Sequence, residues 1–204
     1  MGEEENAIDE LMRTASVSVG VARSLANLGT SEWAEPSSEI IRRGRVCRQV
    51  YIVLEGAVRV FRSVEGEERN FWFGIEGDLL YSDAGIVMRE ASKETFEAIE
   101  RCRLFRFDYD EMMERCATDF ELFRWWNGMV HRELYNAVER LSAFTSMNAT
   151  ERYLQLLCEH PSIVQRIPLA HIASYLGVTP QSLSRIRANF AGKGSERGGW
   201  DNAD

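Results

Sequence analysis

The chain has 204 residues, of which 45% are hydrophobic and 27% are charged, and its formal net charge is −8 at pH 7. This composition is typical of a globular protein with one large or two small domains, and it excludes disordered and collagen-like chains. No apolar run approaches the ~18 residues of a membrane helix, and residues 1–6 are acidic, unlike a secretory signal. We therefore expect a cytoplasmic protein with no membrane among its partners.

The four cysteines are Cys47, Cys102, Cys116 and Cys158, and they form no C-x-x-C pair. This spacing does not indicate a zinc site, an iron–sulfur cluster or a thioredoxin-like motif. We expect reduced thiols, no metal and no cofactor.

Charge is distributed unevenly along the chain. Residues 1–147 carry −9, whereas residues 148–204 carry +1. An acidic body with a near-neutral C-terminal segment can still bind DNA if the arginines of that segment share one face.

The first half of the chain changes from helical to β patterning. Residues 7–28 predict one or two short helices, and residues 31–38, which contain Pro36 and several serines, predict a loop. From residue 39 to 107, short β-branched and aromatic runs alternate with glycines, and residues 64–67 resemble a hairpin tip. This pattern predicts an all-β sandwich or barrel. Four aromatic residues of this region line either a pocket or the core: Tyr51, Phe71, Trp72 and Phe73.

A long helix is predicted over residues 118–145, after a short helix over residues 109–116. Apolar positions in the long helix recur with heptad spacing, which favours pairing with a second helix. A single polar residue in such a row, here Asn127, can set the register of a two-stranded coiled coil. The alternative is the core stripe of one amphipathic helix. We call this row the seam, and it comprises Phe123, Asn127, Val130, Leu134, Ala137, Leu141 and Phe144.

Residues 169–188 carry the most informative motif, two short helices joined by a tight turn. Ala173 is small enough for the helices to cross closely, and Gly177 tolerates a positive φ at the turn. Thr179 is a good N-cap for the second helix, and Pro180 suits its first position. Apolar residues stand at the expected core positions, which are Ile172, Leu176, Val178, Leu183 and Ile186.

The second helix of this motif predicts a DNA-reading face. Gln181, Ser184 and Arg185 share its outward side with Ala188, and glutamine and arginine can bond bidentately to adenine and guanine. Three further residues are predicted to contact phosphates, namely Thr179, Ser182 and Arg187. The alternative is a helical hairpin that serves only packing.

A β-domain, a seam helix and a helix-turn-helix, in that order, resemble the Crp-Fnr family of bacterial transcription regulators. Residues 167–187 carry the resemblance most strongly, supported by turns at Gly44, Gly56 and Gly77. The resemblance implies an α+β fold with a β jelly-roll domain of the cyclic-nucleotide-binding type, a dimerisation helix and a C-terminal winged-helix-type helix-turn-helix. We place these parts at residues 1–117, 118–145 and 146–204. The resemblance also implies a homodimer on a palindromic operator in double-stranded DNA, and contact with RNA polymerase if the protein is an activator.

The sequence departs from the cyclic-AMP-binding members of that family. Those members use a Gly-Glu pair for the ribose and an Arg-Ser/Thr motif for the cyclic phosphate. The corresponding stretches here are residues 81–83, where Ser82 replaces the glutamate, and residues 92–95, which lack the arginine. We therefore expect no binding of cyclic AMP, and an unknown small-molecule effector of the β-domain stays open. After Phe190 we expect a flexible tail.

Two other classes of function, an enzyme and an interaction module, are alternatives to a DNA-binding regulator. A cupin-like enzyme needs histidines inside the barrel, and residues 39–107 contain none, so we expect no enzymatic activity. The second alternative is a small-molecule-binding or protein-interaction module with a vestigial DNA-binding domain, which the net charge of −8 favours.

Overall fold

The structure is a computed structural model that describes residues 3–195, with the side chains of residues 5–190. The chain forms two compact units, of which the first ends at Leu141 and the second begins at Ser142. The boundary lies within a helix that spans residues 120–146.

The first unit combines helices with eight strands. Helices α1 (Glu3–Thr14) and α2 (Val19–Ala26) come first, helix α3 (Asp83–Ile86) lies between the sixth and seventh strands, and α4 (Tyr109–Cys116) follows the last strand. The predicted β region is confirmed. Its strands are β1 (Gly29–Ala34), β2 (Glu39–Ile41), β3 (Gln49–Glu55), β4 (Val58–Val64), β5 (Glu67–Gly74), β6 (Leu79–Leu80), β7 (Thr95–Ala98) and β8 (Cys102–Asp108).

The strands form two four-stranded sheets, ordered β1-β8-β3-β6 and β2-β7-β4-β5. Val53 and Leu104 from the first sheet pack with Val60 and Phe96 from the second. The other face of the first sheet is covered by helices, which explains why β3 is buried along almost its whole length. A strand that is buried on both faces has an unbroken apolar sequence instead of an alternating one.

One sequence-based prediction in this region is wrong in part. The sequence predicts a loop over residues 31–38, and residues 35–38 do lie outside the strands. Residues 31–34 instead belong to β1, which runs antiparallel to β8 and pairs Gly29 with Phe107 and Ala34 with Cys102. Polar residues dominate β1 because it is an edge strand, so the local sequence lacks an apolar pattern. The predicted hairpin tip is confirmed: Glu65 and Gly66 have φ values of 54° and 85° and join β4 to β5.

Helix α5 (Phe120–Ser146) begins in the first unit and ends in the second. The second unit continues with α6 (Ala149–Glu159), α7 (Pro161–Arg166), α8 (Leu169–Leu176) and α9 (Pro180–Ser195), and its described part is entirely helical. Asn148 caps the start of α6 and forms a capping box with Glu151. Its side chain accepts from the Glu151 amide at 3.1 Å, and the Glu151 carboxylate accepts from the Asn148 amide at 2.8 Å.

The prediction of a flexible tail from residue 191 is wrong in part, because α9 continues to Ser195. No proline interrupts this segment, and a helical glycine costs only about 1 kcal/mol relative to alanine. The rest of the predicted tail, residues 196–204, lies outside the described residues.

Candidate nucleic-acid interface

The turn between α8 and α9 has the conformation that its sequence predicts. Gly177 has a φ of 70° and a ψ of 31°, in the left-handed region. An added Cβ at Gly177 would meet nothing within 4 Å, so glycine is favoured here by backbone conformation and not by lack of space. The Val178 amide donates to the Ala173 carbonyl at 3.0 Å, which ends α8 with a satisfied carbonyl.

Thr179 caps α9 as predicted. Its Oγ1 accepts from the Ser182 amide at 3.2 Å, and its hydroxyl donates to the Ser182 Oγ at 3.0 Å. Thr179 is exposed and Ser182 is half-buried, so both predicted phosphate-contacting residues lie at the start of α9. Their contact with phosphate stays a prediction.

The two faces of α9 differ in burial as the motif predicts. Leu183 is fully buried with Ile172 and Leu176 of α8, while Val178 and Ile186 are half-buried. The side chains of Arg185 and Arg187 make no ion pair or hydrogen bond within residues 5–190. The residues of the predicted reading face are all exposed, namely Gln181, Ser184, Arg185 and Ala188, and so is Arg187. Their roles at bases and phosphates stay predictions.

Arg152 supports this motif, and sequence reasoning missed it. Its Nη2 donates to the carbonyl of Leu176, the last residue of α8, at 2.8 Å. Its Nη1 donates to the Met147 carbonyl at 2.6 Å, and its guanidinium lies 4.8 Å from the centre of the Phe144 ring. Arg152 therefore joins α6, the end of α5 and the α8–α9 turn. No sequence pattern marks such a residue, because its bonded partners are backbone carbonyls.

Helix α5 has two apolar stripes with different surroundings. Leu122, Trp126 and Met129 are buried in the core of the first unit. The seam residues lie on another side and are exposed, with Leu134 at 62%. The stripe that fills the core is therefore not the seam, so the alternative interpretation of the seam as a core stripe is wrong. Pairing of two seams stays a prediction.

Residues 81–83 and 92–95 correspond to the cyclic-nucleotide site of the cyclic-AMP-binding members. Their serine side chains form hydrogen bonds to backbone groups of this chain. Ser82 is buried and caps α3 by accepting from the Gly85 amide at 3.3 Å. Ser92 is also buried, and its hydroxyl donates to the Glu94 carbonyl at 2.8 Å. Arg62 forms an ion pair with the Glu94 carboxylate. These side chains leave few polar groups facing a ligand.

A second arginine holds α3 in place. Arg48 donates to the carbonyls of Gly85 and Ile86 at 3.0 and 2.8 Å, and it forms a two-pronged ion pair with Asp110 of α4. Gly85 lies directly against the Cys47 carbonyl, and an added Cβ would overlap it. The end of α3 is therefore closed by the protein's own side chain and backbone.

The two sheets of residues 29–108 form the β-domain, which we call the roll. The four aromatic residues of the roll that were singled out in the sequence do not share one pocket. Tyr51 and Phe73 are buried in the core, which agrees with the core interpretation. Phe71 is exposed and lies beneath Arg62, with 5.1 Å from the guanidinium carbon to the ring centre. Trp72 is half-buried and lies 4.4 Å from the Arg140 guanidinium carbon. The interpretation of these four residues as the lining of one pocket is therefore wrong.

Comparison with known proteins identifies the roll. The model of the cyclic nucleotide-binding domain matches residues 32–119. The nitrogen fixation regulation protein FixK of Azorhizobium caulinodans is 29% identical over 192 residues, which cover 88% of this chain and 73% of FixK.

Solved structures share the fold. FixK2 from Bradyrhizobium japonicum superposes with a TM-score of 0.72 and 21% identity, covering 82% of this chain and 86% of FixK2. The c-di-GMP-responsive global regulator CLP of Xanthomonas campestris gives a TM-score of 0.67 and 14% identity, covering 86% of this chain and 92% of CLP.

None of the helices within residues 3–195 is both long and apolar enough to cross a membrane. The cyclic nucleotide-binding domain, the related FixK sequence and the shared fold agree with the resemblance found in the helix-turn-helix motif. The chain therefore resembles the Crp-Fnr family of transcription regulators in sequence and in fold.

Proposed function

We propose that this protein is a homodimeric, sequence-specific DNA-binding regulator with α9 as its recognition helix. The observation that carries the proposal is the exposed face of α9, which presents Gln181, Ser184 and Arg185. Exposed arginines are common on helix surfaces, so this face supports the proposal together with the Gly177 turn and the Thr179 cap of the same motif. The opposite side of α9 packs on α8 through Leu183, so the reading side chains stand on a rigid support.

Each residue of this face has a role that its chemistry suits. Arg185 pairs bidentately with guanine in the major groove, Gln181 pairs with adenine, and Ser184 bonds to either base. Thr179, Ser182 and Arg187 contact phosphate oxygens, supported by the positive end of the helix dipole at the start of α9. The phosphate contacts place the helix, and the base contacts read the sequence.

Dimerisation is proposed through the seam of α5. Its exposed apolar residues cover the described length of the helix from Phe123 to Phe144, and burial of such a row is the usual driving force for helix pairing. Two parallel copies would place the recognition helices on half-sites about one DNA turn, or ~34 Å, apart. Leu134→Lys should shift the protein to monomer in sedimentation analysis, whereas the substitution of the exposed Tyr135 outside the seam by lysine should not.

We further propose that the roll does not bind cyclic AMP. The hydroxyls of Ser82 and Ser92 are engaged, and Glu94 is paired with Arg62. The carboxylates of Asp83 and Glu90 repel a phosphate. Calorimetric titration should detect no micromolar binding of cyclic AMP, and a saturable heat at that concentration would contradict the proposal. Cytoplasmic location, which we expect from the sequence, and contact with RNA polymerase, which the resemblance implies, are part of the same proposal.

The proposal is tested by selecting bound sequences from randomised duplex DNA. Wild type should enrich a two-fold symmetric motif, and Arg185→Ala should lose preference at one base pair in each half-site. Arg13→Ala, which removes an exposed arginine far from α9 in sequence, is the matched control and should select the wild-type motif. Absence of any enrichment, with binding that does not depend on salt, would favour the interaction module with a vestigial DNA-binding domain.

A further inference from the structure

The first unit contains a pocket of about 450 Å³ that lies away from the interior of the roll. It is formed by the segment that joins α1 to α2, the start of α2 and the first two turns of α5. We call it the α2–α5 pocket. Its volume lies within the range of about 300–1,000 Å³ that is typical of small-molecule sites.

The apolar part of the α2–α5 pocket includes two aromatic rings. Val17 and Val21 are buried lining residues, and Trp125 is half-buried and packs against the core. Phe120 is 71% exposed and lies nearly parallel to Phe123, with 6.3 Å between the ring centres. Aromatic rings of this kind offer a large contact area to a planar ligand.

The polar part of the pocket includes the Arg124 guanidinium and the Ser16 hydroxyl. Within residues 5–190, the Arg124 guanidinium and the Ser16 hydroxyl make no hydrogen bond and no ion pair. The nearby Glu121 carboxylate accepts from the Ser18 hydroxyl at 2.5 Å and leans against Gly20. Glu121 is therefore held by the start of α2, while Arg124 is left to pair with a ligand.

The acidic residue before the pocket is engaged as well. Asp119 accepts from the Ser24 hydroxyl at 2.5 Å and from the Leu122 amide at 3.0 Å, and the Ser24 hydroxyl is the main reason why its pKa lies below the ordinary value. Asp119 therefore does not compete for Arg124. The remaining carboxylate on the rim, Glu121, favours a ligand with a single negative charge over a polyphosphate.

From this arrangement we infer that the α2–α5 pocket binds a small planar aromatic monocarboxylate. The ring of the ligand packs against Trp125 and Phe120, and its carboxylate bonds to the Arg124 guanidinium and the Ser16 hydroxyl. A charge-assisted bond to a guanidinium is among the stronger hydrogen bonds available to a protein, and it selects for carboxylate geometry.

This site would also connect a ligand to α5. Phe120 lines the pocket and stacks on Phe123, the first residue of the seam. A ligand ring that contacts Phe120 is therefore separated from the surface proposed for dimerisation by the ring of Phe120 alone. The inference itself does not depend on DNA binding or on dimerisation.

The experiment is calorimetric titration of the full chain with indole-3-acetate. Tryptamine is the matched probe, because it carries the same ring with a cation in place of the carboxylate. We expect saturable binding of indole-3-acetate and no heat from tryptamine. Arg124→Gln should weaken binding by about tenfold or more, since it removes a charge-assisted bond.

Two further variants control this test. Arg23→Gln removes an exposed arginine of α2 that does not line the pocket, and it should leave the affinity unchanged. Phe120→Ala should weaken binding without loss of folding, because Phe120 is largely exposed. Three results would overturn the inference: no saturable binding of indole-3-acetate, equal affinity in Arg124→Gln and wild type, or equal binding of tryptamine.

Discussion

The first unit and helix α9 differ in how their arginines are paired. In the roll, Arg59 bonds to the carboxylates of Glu68 and Glu97 at 2.6 and 2.8 Å, and Arg48 pairs with Asp110. In the C-terminal unit, Arg185 and Arg187 are exposed and have no carboxylate partner within the described residues. An arginine that is paired inside a protein supports the fold, whereas an unpaired one on a rigid helix is free to meet a partner. Burial and pairing, more than net charge, therefore indicate where this acidic chain can bind an anion.

The largest effect should come from breaking the arginine network of the roll. Arg59→Ala should lower the free energy of unfolding of the first unit by about 3 kcal/mol, because it leaves Glu97 partly buried without its cation. Arg69→Ala, which removes an exposed pair with Glu67, should cost less than about 1 kcal/mol. Urea unfolding measures both, and equal losses would show that burial does not distinguish the two arginines.

The next effect should appear in DNA binding and not in folding. Arg185→Ala should weaken binding to the selected operator by about 1–3 kcal/mol, or about 5- to 150-fold, since it removes a bidentate base contact. Arg185→Lys keeps the charge but loses the fork geometry, so it should recover only part of the affinity. Fluorescence anisotropy provides the measurement. An unchanged unfolding midpoint in both variants would separate the binding role from the structural roles seen in the roll.

Asp78 differs from the paired carboxylates of the roll, because its hydrogen-bond donor is a backbone amide and not an arginine. Asp78 accepts from the Ile75 amide at 2.9 Å, and burial is the main reason why its pKa is raised to about 6. Glu133 and Glu76 raise this pKa further, and Arg132 lowers it. Because the folded pKa lies above the unfolded one, ionisation of Asp78 destabilises the folded state as pH rises through about 6.

Asp78→Asn should therefore be more stable than wild type at pH 7.5, by about 1–2 kcal/mol after allowance for its partial exposure. The difference in the free energy of unfolding between Asp78→Asn and wild type should narrow as pH falls from about 7 toward 4, because Asp78 of the folded wild type becomes protonated. Thermal unfolding across this range tests the sign. A difference that grows on acidification would contradict it.

The smallest effect is expected at the edge of the recognition helix. Arg187→Ala should weaken binding by similar amounts on all DNA sequences and lower the slope of log affinity against log salt by about one. The selected motif should stay the same. A changed motif would place Arg187 at a base instead of a phosphate.

Local chemistry explains which features could be predicted from sequence. The left-handed Gly177, the Thr179 cap and the Asn148 capping box depend on residues within a few positions of one another, so the pattern alone identifies them. Strand β1 was missed because its pairing partner β8 lies far along the chain. Arg48 and Arg152 were missed for the same reason, since each bonds to carbonyls that no motif describes.

Only part of the candidate interface could be predicted from the sequence, because some of its features depend on distant residues or on a partner. The spacing of Gln181, Ser184 and Arg185 predicted an exposed face, and these residues are exposed. Which base each one meets depends on DNA, and the pairing of the seam depends on a second chain. The α2–α5 pocket was not predicted either, because it brings together residues 16–21 and 120–125, which are distant in sequence.

The position of Arg152 has a consequence for engineering. Its ring partner Phe144 and its carbonyl partners Met147 and Leu176 all lie C-terminal to Ser142. If residues 142–204 were fused to a different N-terminal domain, all three contacts of Arg152 would stay within the transferred segment. A junction placed after Met147 would separate the guanidinium from two of its three partners. The position of the fusion junction therefore decides whether the helix-turn-helix unit keeps the contacts that Arg152 makes with α5.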